Sequence, residues 1–389
     1  MFKKLVLLLI PFTVQAQQYQ KIHKNAIVAD SHNDILTACM EKKVSMDDNL
    51  KGRTHSDLNR FKEGGVDVQI FSVWCDGNKE NPFAWANREM DTLDAVVARN
   101  PDKIAIVRNT KELKRAVRRG KLAAMFGVEG GHMIEDKLEN LDKLYARGTR
   151  YMTLTWNNSP SWATSAMLET GKKDSLSGTA KGLTDFGKQV IKRMNELGML
   201  VDLSHVGEQT FWDAIQTTTK PVIVSHSNAY ALCPSFRNLK DEQIIAVGKN
   251  GGVIDLNFYS GFVDSSSKRK EALFIRSHIA ELDSLVRTGM QREYAITLIA
   301  DKYVEEAQAA RAPLSLLLDH LDYIVKLAGV DHVGLGSDFD GINSAPQQLD
   351  DVTTYPVITK ALLERGYSKK DITKIMGGNI LRVYQANEN

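Results

Sequence analysis

Cysteine is scarce: Cys39, Cys75 and Cys233 are all that a chain of 389 residues contains. A sparse, odd set excludes a disulfide framework and a cysteine-rich zinc module, and leaves core thiols with at most one bridge. An excess of charge of one sign is also missing. Lys and Arg number 50 against 48 Asp and Glu, a net +2, which argues against a nucleic-acid or membrane-surface partner. A basic cluster, Lys114-Arg115 with Arg118-Arg119, has helical spacing and reads as a solvated face. No Gly-x-Gly-x-x-Gly follows the first apolar run, where a dinucleotide-binding fold needs it. Internal repeats and low-complexity segments are absent too. What remains is ordinary globular composition, 43% hydrophobic and 25% charged, enough for one large α/β domain with insertions or for two smaller ones.

The first residues stand apart. Met1-Phe2-Lys3-Lys4 is basic, Leu5 to Phe12 is a short apolar core, and Val14-Gln15-Ala16 has small residues where a signal peptidase cuts. Residues 1–16 therefore read as a secretory leader cleaved after Ala16, and the mature chain is expected to be exported, periplasmic or secreted. The apolar run is too short to span a bilayer, and no later segment is a candidate. No cysteine follows the cut, which argues against a lipoprotein.

Eight strand-like apolar runs follow, each trailed by a helical pattern. They are Ala26 to Asp30, Val66 to Trp74, Leu122 to Val128, Tyr151 to Thr155, Met199 to Leu203, Pro221 to Val224, Gly252 to Leu256 and Val333 to Gly336. Helices are predicted at Pro82 to Ala98, Asp185 to Leu197, Asp241 to Val247 and Leu314 to Leu327. Thr184 is a good N-cap and Gly198 a good stop for the second. Strands alternating with helices imply a parallel sheet, and eight units favour an α/β (β/α)₈ barrel over an open sheet. Two stretches exceed normal loop length, Trp156 to Gly182 after the fourth run and Tyr259 to Pro313 after the seventh. As insertions at the carboxyl face they are candidate lids or pocket walls.

The ends of the runs carry the chemistry. The first ends in His32-Asn33-Asp34, the third in Glu129-Gly130-Gly131-His132, the fifth in Asp202-Leu203-Ser204-His205, the sixth in Ser225-His226 and the eighth in Ser337-Asp338-Phe339-Asp340. Nine histidines scattered at random would not place three at matching positions after barrel strands. Imidazoles and carboxylates in this number suit two zinc ions, and one carboxylate can bridge a pair about 3.5–4 Å apart with a water or hydroxide between them. The expected arrangement gives His32 and Asp34 to one metal, His205 and His226 to the other, and Glu129 to both. Asp338 is left as the catalytic carboxylate that takes a proton from the attacking water and gives it to a leaving amine.

The segments Asp30 to Asp34, Gly127 to Gly130, Gly198 to His205, Gly334 to Gly341 and Gly377 to Tyr384 together resemble the membrane dipeptidase family, peptidase family M19. The resemblance extends over about residues 25 to 385. It implies a single metallo-hydrolase barrel over residues 17–389, a binuclear zinc dipeptidase acting through a metal-bridging hydroxide, and often a homodimer; some members tolerate a D-residue at the C-terminal position. The family's metal residues fall on the same five positions. The resemblance adds Arg237, aligned with the arginine that holds the substrate's free carboxylate. It also exposes a departure. The family's histidine after Tyr-x-Thr-Leu-Thr is here Trp156, followed by Asn157, so oxyanion stabilisation and substrate contact are expected to involve the indole or Asn157. His132 receives no role beyond a structural one.

Two other readings are weaker. A different binuclear amidohydrolase, acting on a cyclic amide, lactone or phosphoester, commonly uses a modified bridging lysine and a His-x-His start, whereas here the bridge is Glu129 and the start is His-x-Asp. A solute-binding protein has no use for five metal ligands beside a poised Asp338.

Overall fold

Parallel strands with both faces covered are largely apolar, and most of the apolar runs of this chain become such strands; the first instead begins at Ala29 and continues through the polar Asp30 to Asn33. In the computed structural model, which describes residues 10–171, 182–290 and 292–389, they are β1 (Ala29–Asn33), β2 (Val68–Trp74), β3 (Ile104–Ile106), β4 (Leu122–Glu129), β5 (Thr149–Thr153), β6 (Leu200–Asp202), β7 (Ile223–Ser227), β8 (Val253–Leu256) and β9 (Val333–Leu335). Eight of them pair in the order β1-β2-β4-β5-β6-β7-β8-β9, every neighbour parallel. The ring closes just beyond the last strand. Asp338 N donates to His32 O at 3.0 Å, and Asp34 N donates to Phe339 O at 2.9 Å. The architecture is the expected (β/α)₈ barrel.

β3 was not expected. Its three residues pair with Leu122, Ala123 and Ala124 at the start of β4, while β5 pairs with β4 only from Phe126 onward. It fills an edge position that β5 does not reach.

The helices follow the sequence pattern within a few residues: Pro82–Arg99, Asp185–Leu197, Asp241–Asn250 and Leu314–Ala328. Thr184 Oγ1 caps the second by accepting from Gly187 N, and Gly198 ends it at φ +79°, a left-handed conformation that costs glycine nothing. Alternate strand residues point inward. Those nearest the strand starts (Ala29, Val68, Ala123, Leu200, Ile223 and Val253) pack with Ile380, Val383 and Tyr384 of the final helix. The apolar core thus closes one end of the barrel and leaves the other to polar side chains.

The insertion after β5 contains the helix Ala166–Thr170, pinned by bridges between Ala163 and Leu183 and between Ser165 and Val206; its middle lies outside the described residues. The insertion after β8 is helical, with a small core of its own at Phe274, Leu282, Ala295 and Ile299. At the other terminus a helix spans Ile10–Asn25. Ile22 is buried, and His23 bonds Thr359 Oγ1 at 2.7 Å and Gly64 O at 2.9 Å, so the chain belongs to the fold from here on. Residues 1–9 of the expected leader lie outside the described residues. Among the described residues no helix is long and apolar enough to cross a membrane. The three cysteines are free and buried.

Candidate metal centre

The closed ring carries its polar residues to one rim. His32 lies in β1 and Asp34 just after it, Glu129 ends β4, His205 follows β6 and His226 lies in β7. All five are buried. Glu129 stands between two groups: its Oε1 is 2.9 Å from His205 Nε2 and 3.4 Å from His226 Nε2, and its Oε2 is 3.5 Å from His32 Nε2. Asp34 Oδ2 lies 3.5 Å from the same His32 nitrogen. Two overlapping sets, His32 with Glu129 and His226, and His32 with Asp34 and Asp338, each bring ligand atoms within 4.8 Å of one another.

The hydrogen bonds behind the imidazoles decide which nitrogen faces the centre. His205 Nδ1 meets Asn157 Oδ1 at 3.1 Å, an acceptor only, so Nδ1 carries the proton. Ser225 Oγ gives its proton to Asp202 Oδ2 at 2.6 Å and therefore accepts from His226 Nδ1 at 2.8 Å. Tyr151 Oη donates to Ser31 O at 3.1 Å and accepts from His32 Nδ1 at 2.7 Å. All three Nε2 atoms turn their lone pairs toward Glu129, and His32 Nε2 is buried without a hydrogen-bond partner among the described residues. Imidazole nitrogens and carboxylate oxygens converging on one buried space are what a metal ion requires.

The charges agree. Burial pushes His205 down to about 4, with Arg237 adding to the effect, and burial with His32 holds His226 well below the ordinary imidazole range. Both are neutral ligands at neutral pH. Burial opposes charge on His32 too, but the Tyr151 oxygen, Glu129 and Asp34 outweigh it and hold His32 well above its usual value. Without a metal this side holds its positive charge as a His32 imidazolium, whose Nε2 proton a metal ion would displace. Burial alone would raise Glu129, yet His32, His205 and His226 keep it ionised far below its ordinary value.

His205 and Asp338 occupy the left-handed region, at φ +64° and +62°, a conformation that costs a residue with a Cβ and recurs where a side chain must be aimed. Asp338 Oδ2 accepts from Asn257 Nδ2 at 2.8 Å, and Oδ1 faces His32 Nε2 at 4.0 Å. Burial and the carboxylates of Asp34 and Glu129 hold it well above the ordinary range, against the pull of His32 and Asn257. Arg237 is buried beside the same space. Its Nη2 donates to His226 O at 3.2 Å, its Nε has no partner among the described residues, and burial lowers it to about 10. Trp156 packs edge-on to Trp74 with ring centres 5.0 Å apart and lies 6.4 Å from the His205 ring, so the two indoles wall one side. Asn157 lies behind His205, its carbonyl oxygen committed to the imidazole. His132 bonds Cys75 O at 3.2 Å.

Tyr151, Asn257 and the Ser225–Asp202 pair were not expected at the site. Asn257 could have been found as a polar residue directly after an apolar strand. Tyr151 and Ser225 carry no local signal, because their partners lie on other strands.

A family model described as membrane dipeptidase (peptidase family M19) matches residues 16–389. Similar solved structures include the probable dipeptidase PvdM of Pseudomonas aeruginosa, with 25% identity, 97% of this chain and 99% of that chain covered, and a TM-score of 0.75. A second is dipeptidase AC of family M19, with 24% identity, 93% and 98% coverage and a TM-score of 0.75. A third is a metallopeptidase of Rhodobacter sphaeroides liganded with a phosphinate mimic of L-Ala-D-Ala, with 24% identity, 94% and 100% coverage and a TM-score of 0.73.

Proposed function

The chain belongs to the membrane dipeptidase family, and on that premise we propose that it is a two-zinc enzyme hydrolysing dipeptides with a free C-terminal carboxylate. The observation that carries the metal reading is the convergence of three Nε2 lone pairs, each fixed by an acceptor at Nδ1, on the two oxygens of Glu129. His32 and Asp34 would hold one ion, His205 and His226 the other, with Glu129 shared. When bound, such a pair lowers the pKa of water to about 7 and polarises a carbonyl.

The chain's own residues do the rest. Arg237 presents a buried guanidinium with a free Nε–H, suited to the planar fork of a carboxylate, so it selects substrates whose carboxylate lies one residue from the scissile bond. Asp338, oriented by Asn257 through one oxygen, uses the other to accept a proton from the attacking water and to pass it to the leaving amine. The wall of Trp156 and Trp74 excludes water from the side facing His205, and Trp156 offers an N–H where the family carries histidine. Residues 1–16 would act as an export leader, with 17–389 as one domain that pairs as a homodimer.

The test is hydrolysis of L-Ala-D-Ala and L-Ala-L-Ala by purified protein, with and without chelator, and inhibition by the phosphinate mimic bound to the Rhodobacter sphaeroides protein. Cleavage of either dipeptide that is lost on zinc removal and restored by zinc supports the reading. Activity that survives complete zinc removal overturns it.

A further inference from the structure

Each metal-facing imidazole has its own support, and the three supports differ in reach. His226 leans on the neighbouring Ser225, and His205 leans on Asn157 from the loop after β5. His32 is held from across the barrel. Tyr151 stands on β5 and His32 on β1, with β2 and β4 between them, and the phenol crosses the polar interior to reach both His32 Nδ1 and Ser31 O.

The crossing is possible because of one glycine. Gly127 of β4 lies in register with Tyr151, and a Cβ built on it would come within 2.0 Å of Tyr151 Cζ and 2.4 Å of Cε1. The phenol ring lies over the bare backbone of β4. It is fully buried, and its plane is within 20° of the His32 ring.

We propose that Tyr151, seated across Gly127, is the positioning residue that sets the tautomer and aim of His32 and thereby the affinity of the His32–Asp34 half of the centre. The proposal rests on the two-metal reading. The hydroxyl gives its one proton to Ser31 O, so its lone pair accepts from His32 Nδ1–H, which leaves Nε2 as the nitrogen that would hold a metal ion. Without that oxygen, the buried Nδ1–H has no acceptor, and the ring loses the bond that fixes its rotation. Supporting bonds of this kind are worth about 10–100-fold in metal affinity.

The experiment is titration of the metal-free full chain with cobalt(II), followed by its visible absorption, for the parent, Tyr151→Phe and Gly127→Ala. The parent is expected to take two equivalents. In Tyr151→Phe, which keeps the ring, one equivalent should bind with parental affinity and the other about 10- to 100-fold more weakly. Gly127→Ala should weaken the same equivalent by displacing the ring, and the double variant should add little to either. Two parental affinities in Tyr151→Phe overturn the proposal. A parent that binds no metal overturns the reading beneath it instead. A measurement on the parent needs no variant: with zinc bound, the His32 Nδ1 proton should appear as a slowly exchanging downfield resonance, and a His32 carrying its proton on Nε2 refutes the assignment.

Discussion

His205 Nε2 stands 3.0 Å from His226 Nε2, and the supporting bonds leave each with a lone pair. Two such lone pairs repel, and a cation held between them would relieve the repulsion. Zinc is therefore expected to raise the thermal midpoint, as any ligand of the folded state alone does, and dialysis against chelator to lower it reversibly. His226→Ala should retain at most one zinc per chain by elemental analysis and lose more than about 100-fold in kcat/KM, since a ligand contributes at least as much as its supporting bond.

Asp338→Asn preserves shape and tolerates the left-handed backbone at this position, so the fold and zinc content should stay at parental levels. The variant cannot take up a proton. Its kcat should fall by roughly 10²–10⁴, the usual contribution of a positioned general acid–base group. In the parent, burial and then the carboxylates around Asp338 raise its titration, so the proton-accepting form is lost as pH falls from above the ordinary carboxylate range. That acid limb of the rate profile should vanish in the variant. Parental kcat in Asp338→Asn would remove Asp338 from the mechanism.

Arg237→Lys keeps the charge and removes the fork. A charge-assisted bond is worth about 1.5–3 kcal/mol, so kcat/KM for dipeptides should drop roughly 10- to 100-fold, mostly through KM. The parent should discriminate strongly against C-terminally amidated dipeptides, and the variant much less. Equal discrimination by both would place the carboxylate elsewhere.

Asp255 gives a stability signature independent of the metals. It is fully buried in β8, and the nearest hydroxyl, Ser31 Oγ, gives its proton to Ser225 O at 2.6 Å rather than to the Asp255 carboxyl. Burial, opposed by the nearby Ser31 hydroxyl and helped by the charges of Asp30 and Asp202, holds it well above the ordinary value. Since the folded state binds this proton more tightly than the unfolded one, the contribution to stability is complete below the unfolded value and is lost as pH rises toward the folded one. Asp255→Asn should leave acid stability unchanged and raise denaturant stability at pH 8 by roughly 1–3 kcal/mol, the usual range for an uncompensated buried polar group. Chemical denaturation across pH distinguishes the two; a parallel offset at every pH would show that the carboxyl is not the cause.

Much of this was legible in one dimension because a parallel barrel sends every strand end to the same rim. His32, Glu129, His205 and His226 could be read as neighbours once the strands were counted, although they are far apart in the chain. β3 escaped because three residues give no periodicity, and its pairing depends on a gap left by β5. The position of Asn157 behind His205 depends on how one loop turns, and the strand pattern says nothing of that. Tyr151 reads as an ordinary inward aromatic until Gly127 is placed beneath it.

The seam of the barrel joins His32 and Asp34 to Asp338 and Phe339 by backbone hydrogen bonds, uniting segments from opposite ends of the polypeptide. The rim therefore cannot be completed until the segment carrying Asp338 and Phe339 is in place beside His32 and Asp34. Premature termination or C-terminal clipping anywhere before this junction yields an inert fragment rather than a partial peptidase.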